Sequence, residues 1–217
     1  MGQGRQAKVL SDKQFAAVWN LVETSRHPAR NRVILLLSFK AGLRAKEIAT
    51  LRWRHVCDAE GEIGDSINIE NIGSKGSSGG RTIPLNSVLA DCLFELRNAA
   101  GLKNYKPATG AAVLYVDSMG TPPGMDTPVI ITERNKTGVA AQVIVNTFGR
   151  WFRDLGFEGA SSHSGRRTFI TRAAKGIVAA GGSLRDVQQL AGHSSLQTTQ
   201  RYIEGSTDAK KRIVDLV

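Results

Sequence analysis

A chain of 217 residues can bury a substantial core and lies near the upper end of what one domain holds, so one compact domain is the default. Its 29 Lys and Arg against 19 Asp and Glu leave a net charge of +10, which fits a polyanionic partner such as nucleic acid. Charge alone does not separate DNA from RNA, a heparin-like polymer or a membrane surface. The two cysteines, Cys57 and Cys92, fall in separate predicted elements and form no Cys-x-x-Cys pair, so they read as reduced structural thiols. The apolar run Val33 to Leu37 is too short to span a bilayer, as is every other run in the chain, and Met1 to Gln6 has neither an apolar signal core nor a myristoylation pattern. A cytoplasmic protein with no membrane partner is expected.

Ser11-Asp12-Lys13-Gln14 has the form of a capping box, and Phe15, Val18, Trp19 and Val22 follow at the spacing of one helical face, predicting a first amphipathic helix. A second begins near Pro28, carries Val33 to Phe39 and stops at Gly42, which suits a left-handed cap. Arg44 then falls at a helix junction. Lys46 to Leu51 reads as a helical turn with Ile48 and Leu51 inward and Trp53 packed beyond it. Ser66 to Ile69 and Arg81 to Leu85 predict two strands, joined through Gly73 to Gly80, a flexible hairpin tip that contains Lys75. Asn86 can cap the next helix, whose Leu89, Cys92, Leu93 and Leu96 form one apolar stripe before Gly101. Four of the six prolines lie between Gly101 and Pro128, which predicts a long surface connection, with a short strand at Val129 to Ile131 beyond it. Ile144, Phe148, Trp151 and Leu155 mark another helix, ended by Gly156. From His163 onward the prediction is a helix, a loop at Gly181-Gly182, a short helix capped by Ser183, and a helix bearing Tyr202.

The chemistry-bearing residues concentrate in His163-Ser164-Gly165-Arg166-Arg167-Thr168, Leu190-Ala191-Gly192-His193-Ser194-Ser195 and Gln200-Arg201-Tyr202. A phenol with pKa near ~10 is almost wholly protonated at neutral pH and needs help to act as a nucleophile. Attack on a phosphodiester passes through a crowded dianionic phosphorus, and without a metal it needs fixed cations on the non-bridging oxygens. Arg44 and Arg166 are the candidates, because a guanidinium fork matches a phosphate where lysine offers a point charge. His163 and Arg166, three apart at a helix start, share one face and set a proton-transfer group beside that clamp. Taken singly, each has a bland reading: a surface arginine, a chance His-x-x-Arg, a capping histidine. Their combination, with Tyr202 nine residues after His193, is specific. Tyr105 and Tyr115 lie in or beside the proline-rich connection without such motifs and read as packing or surface tyrosines.

With Arg44 in Ala41-Gly42-Leu43-Arg44-Ala45-Lys46-Glu47, the set resembles the tyrosine recombinases, the phage-integrase family of site-specific DNA recombinases, from about Leu10 to about Tyr202. The resemblance implies an α+β, mainly α fold with a small antiparallel sheet, the DNA breaking-rejoining fold. It also implies double-stranded DNA as partner and Tyr202 as nucleophile, forming a covalent 3′-phosphotyrosyl link and freeing a 5′-hydroxyl. Arg44 and Arg166 would hold the phosphate, His163 would transfer protons and His193 would donate to a phosphate oxygen. Lys75 on the hairpin matches the family's general acid for the leaving oxygen, in a loop unusually rich in glycine and serine. As a residue alone it also reads as a solvated turn lysine. Glu47 matches a family position and reads as a carboxylate that orients a basic side chain or caps the local turn. There is no acidic cluster with two-metal spacing and no His-Glu-x-x-His, and the arginines can do the charge work, so no metal or nucleotide cofactor is expected.

Relatives commonly carry a separate helical DNA-binding domain first. Here about ten residues precede the first helix, so 1–217 is expected to be a single catalytic domain without it, either a fragment or a short recombinase. Gly165 stands where many relatives carry leucine and is expected to loosen local packing. Thr207 to Val217 reads as a short basic helix with an apolar end. In relatives that segment docks on a neighbour, so Ile213, Val214 and Leu216 are expected to pack in trans in a DNA-bound tetramer, with a monomer when free; the alternative is a helix folded back on its own domain. Two competing functions are a type IB topoisomerase, which relaxes DNA without exchanging partners, and a DNA-binding module that has lost turnover. The complete set of Arg44, Lys75, His163, Arg166, His193 and Tyr202 argues against the second.

Overall fold

The computed structural model describes residues 6–70, 80–99, 124–133 and 137–202. The first helix, α1 (Asp12–Glu23), opens with the expected reciprocal cap: the Gln14 amide donates to Ser11 Oγ at 3.3 Å, and the Ser11 amide donates to Gln14 Oε1 at 3.1 Å. It buries Val18 and Val22 on α2 (Pro28–Phe39), which starts on its proline. From Val33 to Phe39 every residue of α2 is buried, so this half of the helix is enclosed on all sides and runs through the core. It is packed on by α1, α3 (Ala45–Thr50), α4 (Ser87–Ala99) and α6 (Ser164–Gly176). At roughly 1.5–3 kcal/mol for each large apolar side chain removed from water, α2 is the structural spine.

A single 3-10 turn follows α3 at Trp53–His55, and then β1 (Ser66–Ile69) pairs antiparallel with β2 (Arg81–Pro84). The register sets Ile67 opposite Ile83, both facing the core, and Ile69 opposite Arg81. Lys75, expected at the tip of this hairpin, lies outside the described residues, as do Tyr105, Tyr115 and the Thr207 to Val217 segment. The stripe of α4 packs as expected, with Leu89, Cys92 and Leu93 buried. Asn86 does not cap it through its side chain, for its buried Oδ1 has no hydrogen-bond partner. The short strand expected at Val129 to Ile131 is instead a buried crossing between two single bridges, Arg52 with Pro128 and Ile131 with Gly138. Its backbone anchor is Val129 N–H to Leu51 O at 2.9 Å. Next, α5 (Ala141–Asp154) buries Ile144, Phe148, Trp151 and Phe152 and ends at Gly156, with φ +65°.

The last layer is α6, α7 (Leu184–Ala191) and α8 (Leu196–Gln200). It has a smaller core of its own, Ile170, Ala174, Val187 and Ala191, with Phe169 and Tyr202 partly buried against it. Two glycines let α6 lie close on α2. A Cβ at Gly165 would collide with Ser38 Oγ and stand 2.7 Å from Phe39 Cδ2, so this glycine tightens the packing that it was expected to loosen. A Cβ at Gly42, which has φ +65°, would sit 2.5 Å from Phe169 Cδ1. Tyr202 is placed differently from its prediction: α8 ends at Gln200, and Tyr202 occupies the turn just beyond, its amide bonded to Thr199 O at 3.0 Å.

Candidate active site

Gly42 turns the chain out of α2, Leu43 is fully buried, and Arg44 becomes the N-cap residue of α3 in extended conformation. Glu47, in the first turn of α3, accepts the Arg44 amide at 2.7 Å and Arg44 Nη1 at 3.0 Å, so it caps the helix and orients the guanidinium at once. It also accepts both forks of Arg81, at 2.9 Å each. Burial pushes the Glu47 carboxyl up, but the hydrogen bonds and charge of Arg81, with those of Arg44, more than offset this and bring it down to about 2. Arg166 is 5% exposed in the first turn of α6 and donates to Gly42 O at 2.6 Å and to Ala191 O at 2.5 Å. It thereby ties three segments together: the end of α2, its own helix and the end of α7. Burial first, then the charges of Arg44 and Arg81, lower it to about 10, which leaves it cationic at neutral pH.

His193 follows Gly192, the left-handed cap of α7. Its amide donates to Gln188 O at 3.1 Å and its carbonyl accepts Gln188 Nε2 at 2.9 Å. Its ring stacks on Tyr202 at 5.6 Å between centroids and 23° between planes, with Nδ1 at 3.0 Å from Thr199 Oγ1. Burial, then the nearby Arg166, Arg44 and Arg81, push its pKa down to about 4, so the imidazole is neutral at pH 7. His163 stands exposed at the N-cap of α6, with no side-chain capping bond.

Five of the six expected residues, Arg44, His163, Arg166, His193 and Tyr202, line one open cavity of about 390 Å³. The sixth, Lys75, lies outside the described residues. Arg167 and Arg201 line it too, so its walls are strongly cationic. One wall is unexpected. Gln6 and Ala7 reach the cavity because the segment before α1 is pinned to the last layer, with Leu10 N–H on Thr168 Oγ1 at 2.9 Å and Arg172 paired with Asp12 at 2.7 Å. Nothing in the composition of that segment signals this.

Arg81 was also missed as a site residue, though its signal was present. In an alternating strand Arg81 is in phase with buried Ile83, so a cation points inward and requires a buried acid. Its Nη1 would stand 2.8 Å from a Cβ at Gly192, so Arg81 bridges Glu47 and the turn that carries His193.

A model described as the phage integrase family matches residues 8–208. Tyrosine recombinase XerC of Pelobacter propionicus is 27% identical over 204 residues, which is 94% of this chain and 57% of that protein. Tyrosine recombinase XerA of Pyrococcus furiosus is 26% identical over 190 residues, 86% of this chain and 54% of that one. The chain thus spans just over half the length of these curated relatives. Among solved structures, the Tn1549 transposon integrase in complex with transposon right end DNA superposes with a TM-score of 0.66 at 18% identity, over 98% of this chain and 66% of that one. The XerA recombinase gives 0.63 at 19%, over 96% and 64%. This likeness establishes the fold: it is the mainly helical fold of those recombinases' catalytic domains, with a two-stranded antiparallel sheet among the described residues.

Proposed function

This chain belongs to the phage integrase family, and from that premise we propose that it is a site-specific recombinase that cuts and rejoins double-stranded DNA through a 3′-phosphotyrosyl intermediate. The observation that carries the reading is the meeting of Tyr202, stacked on His193, with Arg44 and Arg166 around one cationic cavity. A guanidinium has five N–H donors, and Arg166 uses two on carbonyls, so three remain for the non-bridging oxygens of a phosphate. Arg44 has one terminal nitrogen on Glu47, is 42% exposed on its side chain and lines the same cavity, so it is open to the same phosphate. Held this way, the cations are in position before charge develops, which is where electrostatic stabilisation is most effective.

In the proposed step the Tyr202 oxygen loses its proton and bonds to phosphorus while the bond from phosphorus to the 5′-oxygen breaks. His163 transfers the phenolic proton, His193 donates to a non-bridging oxygen, and Lys75 protonates the leaving 5′-oxygen. Attack by a 5′-hydroxyl on the phosphotyrosyl link reverses the sequence, and the conserved bond energy drives rejoining. We further assign residues 1–217 to a single catalytic domain acting in the cytoplasm, in a phage or mobile-element setting. On DNA the active form is a tetramer in which the segment after Tyr202 is exchanged between protomers.

The test is a nicked suicide duplex whose site is first selected by binding from a random pool. The wild-type protein forms a gel-stable covalent adduct and exchanges strands between two such sites. Relaxation of supercoiled plasmid without exchange would point to topoisomerase activity instead, and binding with no adduct to a module without turnover.

A further inference from the structure

Resting on the strand-cleavage reading, we propose that Thr199 is a positioning residue that fixes the His193 ring in its Nε2–H tautomer, so that an N–H rather than a bare lone pair faces the scissile phosphate. At neutral pH this imidazole carries a single proton, because burial and the arginines around it disfavour a second. Which nitrogen holds that proton then decides whether His193 attracts or repels an anion. The ring itself is well fixed: Gln188 binds the His193 amide and carbonyl, Tyr202 covers one face, and Thr199 Oγ1 lies 3.0 Å from Nδ1. Nε2 has no protein partner among the described residues, and His193 lines the cavity.

The direction of the bond follows from what Thr199 lacks. Its residue is fully buried, and among the described residues its hydroxyl meets no acceptor other than Nδ1. If Nδ1 carried the proton and donated to the hydroxyl, the hydroxyl hydrogen would be buried without an acceptor, and the Nε2 lone pair would point at the phosphate. If the hydroxyl donates to Nδ1, only an oxygen lone pair goes unused and Nε2 is obliged to carry the proton. An unmet buried donor is the costlier of the two, so the second arrangement prevails. Thr199 and Tyr202 are one turn apart and joined by the 3.0 Å bond from Tyr202 N–H to Thr199 O. The short segment that carries the proposed nucleophile therefore also sets the proton on its neighbouring donor.

The test is nitrogen-15 NMR on the whole protein with labelled histidine, the His193 ring identified by its loss in His193→Gln. Wild type and Thr199→Ser should both show an Nε2–H ring whose Nδ1 accepts a hydrogen bond, whereas Thr199→Val should lose that Nδ1 signature. On the selected suicide duplex, Thr199→Val should cleave about tenfold more slowly with unchanged duplex affinity, the kinetic counterpart of one ordinary hydrogen bond, and Thr199→Ser should recover most of the rate. An Nδ1–H ring in the wild type overturns the proposal, and so does a folded Thr199→Val that cleaves at the wild-type rate. Absence of any wild-type adduct would instead sink the cleavage reading, and the tautomer measurement would still stand apart from it.

Discussion

Arg166 and Tyr202 line the same cavity, yet the structure holds them in opposite ways. Arg166 is 5% exposed, bonded to two carbonyls from different segments, and seated on a helix that glycine packs tightly against the central α2. Tyr202 sits in a turn after a five-residue helix, half-buried against a four-residue cluster and stacked on one histidine. The difference suits the chemistry proposed for them. A phosphate clamp works best when its charges need no rearrangement. A nucleophile must approach phosphorus, bond to it and leave again, which favours a segment with few buried contacts.

The largest expected effect comes from the rigid side. Arg166→Ala should slow cleavage by ~10²-fold or more, as removal of one preorganised donor does elsewhere, measured by single-turnover adduct formation. A loss below about threefold would mean that the buried guanidinium does not face the reacting phosphate. Next, Gly165→Leu should unfold the α2–α6 contact, for overpacking costs about 1–3 kcal/mol even where space can be made and here the obstacles are Ser38 and the Phe39 ring. A lowered thermal midpoint with α6 amides exchanging faster is the expected readout.

Arg81→Gln should reduce cleavage by about tenfold while leaving duplex binding nearly unchanged, because Arg81 acts through Glu47 and the His193 turn. Equal losses in binding and cleavage would instead put Arg81 directly on the DNA.

Acid should loosen the site in two separable stages. The His193 pKa falls from its ordinary 6.5 to about 4 on folding, so the unfolded chain binds the extra proton first and stability is lost as pH drops from about 6.5 towards 4. The Glu47 pKa falls from 4.5 to about 2, so its contribution is complete above 4.5 and is lost below that. Urea midpoints across pH 3–8 should show both limbs, with His193→Gln flattening the upper one and Glu47→Gln the lower one. The smallest effect separates the two regions directly: the Tyr202 amide should exchange with solvent faster than the amides of α2 and of the first turn of α6.

How much of this was legible in the sequence follows the same division. Periodicity gave α1, α2 and α5 with their caps, since Ser11, Pro28 and Gly156 act within one turn of themselves. The pairing of Glu47 with Arg44 could be anticipated because it is local, three residues apart on one helix turn. The pairing of Glu47 with Arg81 spans 34 residues and joins a helix to a strand, which no local pattern reports. Gly165 was misread because its meaning lies in what α2 presents to it across the core. The Val129 to Ile131 segment has the composition of a strand and packs into the core, but among the described residues its strand pairing is limited to single bridges at its two ends, since burial alone does not supply a pairing partner.

The most direct test of the account is to digest the trapped protein–DNA adduct with trypsin and nuclease and find the residue that bears the phosphonucleotide. Cleavage after Arg201 releases a peptide that begins at Tyr202, and the account predicts the modification on that tyrosine, with no adduct from Tyr202→Phe although it still binds the duplex. A phosphonucleotide on Tyr105, Tyr115 or any serine, or an adduct that survives Tyr202→Phe, would contradict it.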